Sequence, residues 1–272
     1  MGTKMIDLLK MVLCIAFLLY SCRTDLRERM VPNELWGVVF AATLPLVIAD
    51  ALAEGAYYLL QTAISVVSVY AFVYVLFRLN AFGGADAKAL IALAFIFPVF
   101  PDLGVIGSWC ELPLTGVPPV NIFAFSVLVN AVLLTVVVPL GLLAYNLCTL
   151  AIPEIVEKPW YLPVGYRCKI ANLKGRHVRL IEEYLCEGGG GGEGDGERGG
   201  EGVVVRRRFS KGGDNIDDSA IKRLERLASE GLIEDRVWVT PGLPFMIPIT
   251  LGFASAAIYG DLMFQGVMLF LM

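Results

Sequence analysis

The feature that most constrains this chain is a series of apolar runs long enough to cross a bilayer. Runs from about Met5 to Ser21, Pro32 to Ala49, Tyr57 to Leu79, Ala89 to Trp109 and Asn121 to Ile152 approach or exceed the ~20 residues of a spanning helix. A further run covers Leu243 to Tyr259. Hydrophobic residues make up 57% of the 272, against roughly 45–50% in soluble domains. The pattern predicts an all-α polytopic membrane protein with about six transmembrane helices.

The first run ends in Arg23-Thr24-Asp25-Leu26-Arg27-Glu28-Arg29, a charged stop and not a small-residue cleavage site. It therefore reads as a retained span followed by a charged loop. Pro32 and Asn33 open the second span, as proline suits a first helical turn. Asp50 to Gly55 reads as a short acidic loop. Pro98 and Pro101 kink or end the fourth span. Helices one to five thus occupy residues 1–152.

Residues 153–241 are polar and predict a small mixed α/β domain between helices five and six. Tyr166 to Leu185 is suited to short strands, and Val203-Val204-Val205 to the start of another. Residues 187–202 are acidic and glycine-rich, the composition of a disordered loop. Ile221, Leu224, Leu227 and Ala228 fall at helical spacing, with Asp217 or Asp218 as cap. Residues 242–272 form helix six and a tail, Leu262 to Met272, too short to span alone.

Net charge is −4, which carries no footprint of nucleic-acid binding. The six cysteines (Cys14, Cys22, Cys110, Cys148, Cys168, Cys186) form no CxxC pair, and His177 is the one histidine. No zinc site is expected from such spacing. Gly-x-Ser-x-Gly is absent, so Ser-His-Asp chemistry has no footing. No metal and no cofactor are called for.

Loop charges set an orientation. Arg23, Arg27, Arg29, Arg78, Lys88 and the basic polar domain follow spans one, three and five. The loops after spans two and four carry acids such as Asp50, Glu54, Asp102 and Glu111 and no Lys or Arg. The positive-inside rule puts the first set in the cytoplasm and, with six spans, both termini outside. Lys4 runs mildly against this.

Two acids then share one membrane depth. Asp86 stands in Gly83-Gly84-Ala85-Asp86-Ala87-Lys88, where an apolar helix begins. It serves either as an ordinary helix cap or as a functional acid, since a carboxylate at the membrane face is costly. Asp25 lies just past span one, on the same side, and is either paired with Arg23 or Arg29 or brought toward Asp86. Two close carboxylates share a proton, so one can activate water while the other protonates an amide. Asp50, Asp102 and Asp261 fall on the opposite side, Asp7 lies near the outer end, and Glu28 and Glu34 suit solvent or arginine.

Thr24-Asp25-Leu26 through Val31-Pro32-Asn33, with Gly83-Gly84-Ala85-Asp86-Ala87-Lys88, resemble the two aspartate motifs of the GxGD-type membrane aspartic proteases. Within that group they are most similar to archaeal preflagellin peptidases and type IV prepilin peptidases. The pattern is relaxed, with Ala85 before the aspartate. Val237 through Pro248 and Gly260-Asp261 resemble the family's C-terminal end. The resemblance implies catalytic Asp25 and Asp86, with Gly83, Gly84 and Ala85 as active-site backbone that leaves room for substrate. It implies removal of a short basic leader from preflagellin or prepilin-like proteins at the cytoplasmic face. Acids such as Glu182, Glu183 and Asp217 then either attract that leader or merely solvate the domain. The paired CxxC motifs of bacterial relatives are absent, so methylation is not expected. The other readings are a transporter or channel, whose glycine-broken helices carry acids too, and a non-catalytic assembly scaffold.

Overall fold

The computed structural model describes residues 3–79, 82–102, 118, 120–175, 178–187, 204–242 and 244–271, with backbone alone for 3–4, 185–187 and 204–215. The helices are α1 (Thr3–Glu28), α2 (Asn33–Glu54), α3 (Ala56–Arg78), α4 (Gly84–Ile96), α5 (Phe123–Thr135), α6 (Val137–Thr149), α7 (Ile152–Glu157), α8 (Asp218–Ser229), α9 (Met246–Tyr259) and α10 (Leu262–Leu271). The strands are β1 (Tyr166–Lys169), β2 (Val178–Glu187), β3 (Val204–Asn215) and β4 (Arg236–Pro241). The chain separates into two compact units, Met1–Val136 with Pro244–Met272, and Val137–Leu243.

Among the described residues, Met5–Glu28, Asn33–Glu54, Ala56–Arg78 and Phe123–Thr149 are long and apolar enough to cross a membrane. Helices α9 and α10, bent by 54° at their junction, make a fifth crossing if they are one broken span. The protein is thus a mostly helical membrane protein with four or five such helices and a small sheet in its C-terminal region. The α4 helix has 13 residues, about 20 Å at 1.5 Å per residue, short of a ~30 Å hydrocarbon core. Pro98 and Pro101 follow its end, as expected.

Two expected loops prove helical. The charged stretch after span one forms the last turns of α1, because Arg, Leu and Glu are good helix formers. The helix ends where Arg29 turns left-handed at φ 54°, its N–H still donating to Asp25 O at 3.1 Å. Asp50 likewise sits in α2, with the break falling only at Gly55.

The first unit buries one apolar core drawn from α1, α2, α3, α4, α5 and α9. Phe123 sits edge-on to Phe97 at 5.4 Å and to Phe253 at 5.6 Å. The α5–α9 crossing is close because Gly252 has no side chain: a Cβ there would lie 2.4 Å from Val127 O. The kink between α9 and α10 is held by Asn130, which donates to Gly260 O (2.9 Å) and accepts from Leu262 N (2.9 Å). Asp261 caps α10 by accepting from Phe264 N at 2.9 Å, and accepts from Ser126 Oγ at 2.8 Å.

The same unit buries an ammonium. Lys10, 1% exposed, donates to Asp50 Oδ2 and to the Tyr58 hydroxyl at 3.3 Å, and lies over the Phe97 ring. Asp7 stands 3.8 Å away and accepts from the Asp102 backbone N–H at 3.0 Å. This cluster joins α1, α2 and α3 to the end of α4.

The second unit is an antiparallel sheet ordered β1-β4-β2-β3. One face carries Cys168, Leu180, Val237 and Val239 against Ile221, Leu224 and Leu227 of α8. Burial of each such aliphatic side chain contributes about 1.5–3 kcal/mol. Asp217 caps α8, and the N–H of Ala220, joined by the Ser219 hydroxyl, holds its carboxyl below the ordinary value. The opposite face packs Ile181 and Trp238 on Leu162, with Leu143 and Ile155 alongside. Asn146 of α6, fully buried, donates to the carbonyls of Leu162 (2.8 Å) and Gly165 (2.6 Å).

Strand β4 occupies a stretch expected to lead straight back into the membrane, and its inner position explains why. It is covered on both faces, so it lacks polar alternation. The strand expected at Val203 becomes the longer β3; of the expected disordered loop 187–202, Glu187 ends β2 and 188–202 lie outside the described residues. Glu182 is buried and paired with Lys158, so it is not a solvating acid.

Removing one member of a buried ion pair leaves an unneutralised charge. Lys10→Ala is therefore expected to cost about 3–5 kcal/mol, whereas Lys10→Met combined with Asp50→Leu should be close to neutral. Thermal unfolding of the purified protein in detergent measures both.

Candidate active site

The two expected acids come from different helices at one end of the first unit. Asp25 lies in the last two turns of α1 and is half-buried. Its carboxylate accepts from the backbone N–H of Met246, the first residue of α9, and Arg29 is close enough for its charge to act on it. The neighbouring Cys22 Sγ donates to Met246 O at 3.2 Å and lies 3.0 Å from Thr250 Oγ1. The start of α9 thus holds the end of α1 through backbone and side chains together.

Asp86 is the third residue of α4 and is 9% exposed. It reaches back to accept from the Gly83 N–H at 3.2 Å, which satisfies one orphan donor of the helix start. The capping reading of Asp86 is therefore correct as far as it goes. It does not account for the neighbour: Asp86 lies within electrostatic reach of Asp25. A helix cap needs no second carboxylate.

Gly83 and Gly84 are exposed and Ala85 is half-buried. The two glycines differ. A Cβ on Gly83 would fall 2.9 Å from Asp86 Oδ2, whereas one on Gly84 meets nothing within 4 Å. Gly83 thus keeps clear the space into which the carboxylate folds.

Three further contacts at this end were not foreseen. Phe82 meets Phe245 edge-on at 5.1 Å, joining the approaches to α4 and α9. Lys88 Nζ donates to Asn33 Oδ1, joining α4 to the start of α2. The Met246 amide is a backbone group, so no residue type in the sequence announces it. Among the described residues, no three His, Cys, Asp or Glu side chains are grouped as metal ligands.

A half-buried carboxylate and a buried one that feels its charge, beside two exposed glycines, are groups suited to moving protons on a bound substrate. Comparison with known proteins gives the class. Residues 12–142 match the family described as Type IV leader peptidase family, and residues 157–262 match Archaeal Peptidase A24 C-terminus Type II. The chain is a membrane peptidase. It belongs to the type IV leader peptidase family, in its archaeal A24 form.

The chain is similar to the preflagellin peptidase of Methanococcus maripaludis, with 27% identity over 249 residues covering 87% of this chain and 89% of that one. The preflagellin peptidase of Methanocaldococcus jannaschii is 21% identical over 255 residues, covering 90% and 91%. The prepilin peptidase EppA of Methanothermobacter thermautotrophicus is 29% identical over 132 residues, 47% of this chain and 33% of that one.

The glycines give a test. Gly83→Ala pushes against the Asp86 carboxylate and is expected to lower peptidase activity roughly tenfold or more, the effect of ~1.4 kcal/mol on the barrier. Gly84→Ala meets no protein atom and should leave kcat within about twofold, any effect falling on KM through the substrate. Cleavage rates of both variants at matched membrane levels check the contrast.

Proposed function

We propose that this protein is a leader endopeptidase for preflagellin or prepilin-like precursors, and that Asp25 and Asp86 are its catalytic residues. The observation that carries the reading is that these two carboxylates, from separate helices, lie at one end of the bundle with Asp86 in the field of Asp25. The names of the relatives supply the substrate class.

In this reading one carboxylate takes a proton from water as its oxygen bonds to the scissile carbonyl carbon. The other, protonated, donates its proton to the carbonyl oxygen. The tetrahedral intermediate then collapses as the C–N bond breaks and a proton passes to the leaving nitrogen. Because one carboxylate must be ionised and the other protonated, activity should fall on both sides of an optimum, giving a bell-shaped pH profile for kcat. Gly83, Gly84 and Ala85 form the backbone beside which the extended peptide lies.

In this reading the dyad end faces the cytoplasm. Arg23, Arg27, Arg29 and Lys88 cluster at this end of the helices, as the positive-inside rule requires. Lys10 near the other end does not oppose this, being buried and neutralised by Asp50. We retain a six-crossing arrangement in which α4 and the segment after it make the fourth crossing. Residues 1–152 then hold crossings one to five, 153–241 a cytoplasmic domain and 242–272 the last crossing and tail, with both termini outside.

Co-expression with a tagged preflagellin tests the proposal. Asp25→Asn and Asp86→Asn should each abolish leader removal, by about a thousandfold or more, while inserting at wild-type level. Wild-type cleavage by either variant removes that residue from the site and revives the transporter or scaffold readings.

A further inference from the structure

Asn33 and Lys88 belong to the two sequence motifs but have no part in the proposed proton transfers. The structure joins them directly, Lys88 Nζ donating to Asn33 Oδ1. The significance of this bond lies in how the two acids are held. Helices α1 and α4 make no extensive contact of their own among the described residues; α2 and α9 each pack against both. The spacing of Asp25 from Asp86 is therefore set indirectly, through a ring of links around the dyad.

Each link can be named. Cys22 and Asp25 hold α1 to Met246 at the start of α9. Phe245, just before α9, meets Phe82, just before α4. Lys88 ties α4 to Asn33, the first residue of α2. The short turn at Arg29 returns α2 to the end of α1, its N–H on Asp25 O. Lys88 lies two residues from Asp86, one helical turn or less, and Asn33 opens the helix that follows the Asp25-bearing end of α1, so this polar pair links the two helix ends that carry the acids.

We propose that Lys88 and Asn33 are positioning residues that close this ring and set the separation of the two aspartates. The inference rests on the peptidase reading above. Misplacing a reacting group by about 1 Å can cost on the order of a hundredfold in rate, so an exposed bond with little effect on stability can still govern turnover.

The test uses the full chain in membranes with a preflagellin substrate. Variants are Lys88→Met, Asn33→Leu, their double and the conservative Asn33→Asp, beside Asp25→Asn and Asp86→Asn. The single changes are expected to lower kcat by roughly tenfold with KM within about twofold and thermal midpoint unchanged. The double variant should be no slower than the worse single, because both break one link. Asn33→Asp should restore most of the rate, since a carboxylate also accepts from Lys88. Losses that multiply in the double variant, a change in KM alone or an unaltered kcat would overturn the proposal. If instead Asp25→Asn and Asp86→Asn cleave normally, it is the dyad reading that fails.

Discussion

A charge inside a bundle of apolar helices is costly unless it is paired, and this molecule buries charged groups at both ends. Near one end Lys10 is fully buried, and Asp50, Asp7, Tyr58 and the Phe97 ring surround it. The buried ammonium is neutralised there, which is what a structural clamp requires. At the other end Asp86 is buried beside another carboxylate, with one backbone N–H as its hydrogen-bond donor among the described contacts. That arrangement stabilises nothing by itself. A carboxylate buried in the field of another is unfavourable, which is why the proposed chemistry is assigned to this end.

The two ends also differ in how they are built. The Lys10 cluster is made by direct side-chain contact between helices. The carboxylate pair is assembled at second hand, from helices that meet their common neighbours more than each other. The supporting parts include a backbone amide at Met246, an aromatic pair, a left-handed turn at Arg29 and a surface hydrogen bond.

Much of this was legible in the sequence. Apolar runs located the helices of the first unit, because lipid imposes one periodicity-free requirement, length. The spacing of Ile221, Leu224 and Leu227 located α8, since it has one wet and one buried face. Position relative to the runs put Asp25 and Asp86 at one depth. What stayed hidden was set by partners distant in the chain. Nothing near Lys10 in the chain announces its role, because its counterion Asp50 lies forty residues on. Strand β4 was hidden because burial on both faces erased its alternation. The end of α1 was misplaced because charged residues read as loop when they are also good helix formers.

The central claim is that the ends of α1 and α4 bring residues 25 and 86 face to face in the membrane-embedded protein. Cysteines placed at both positions, with Cys22 changed to serine, can be treated in intact membranes with a short bifunctional maleimide. The account predicts efficient cross-linking of the 25–86 pair and none between 86 and a cysteine replacing Leu8, near the far end of α1. Cross-linking of neither pair, while a control pair at 22 and 250 reacts, would contradict it.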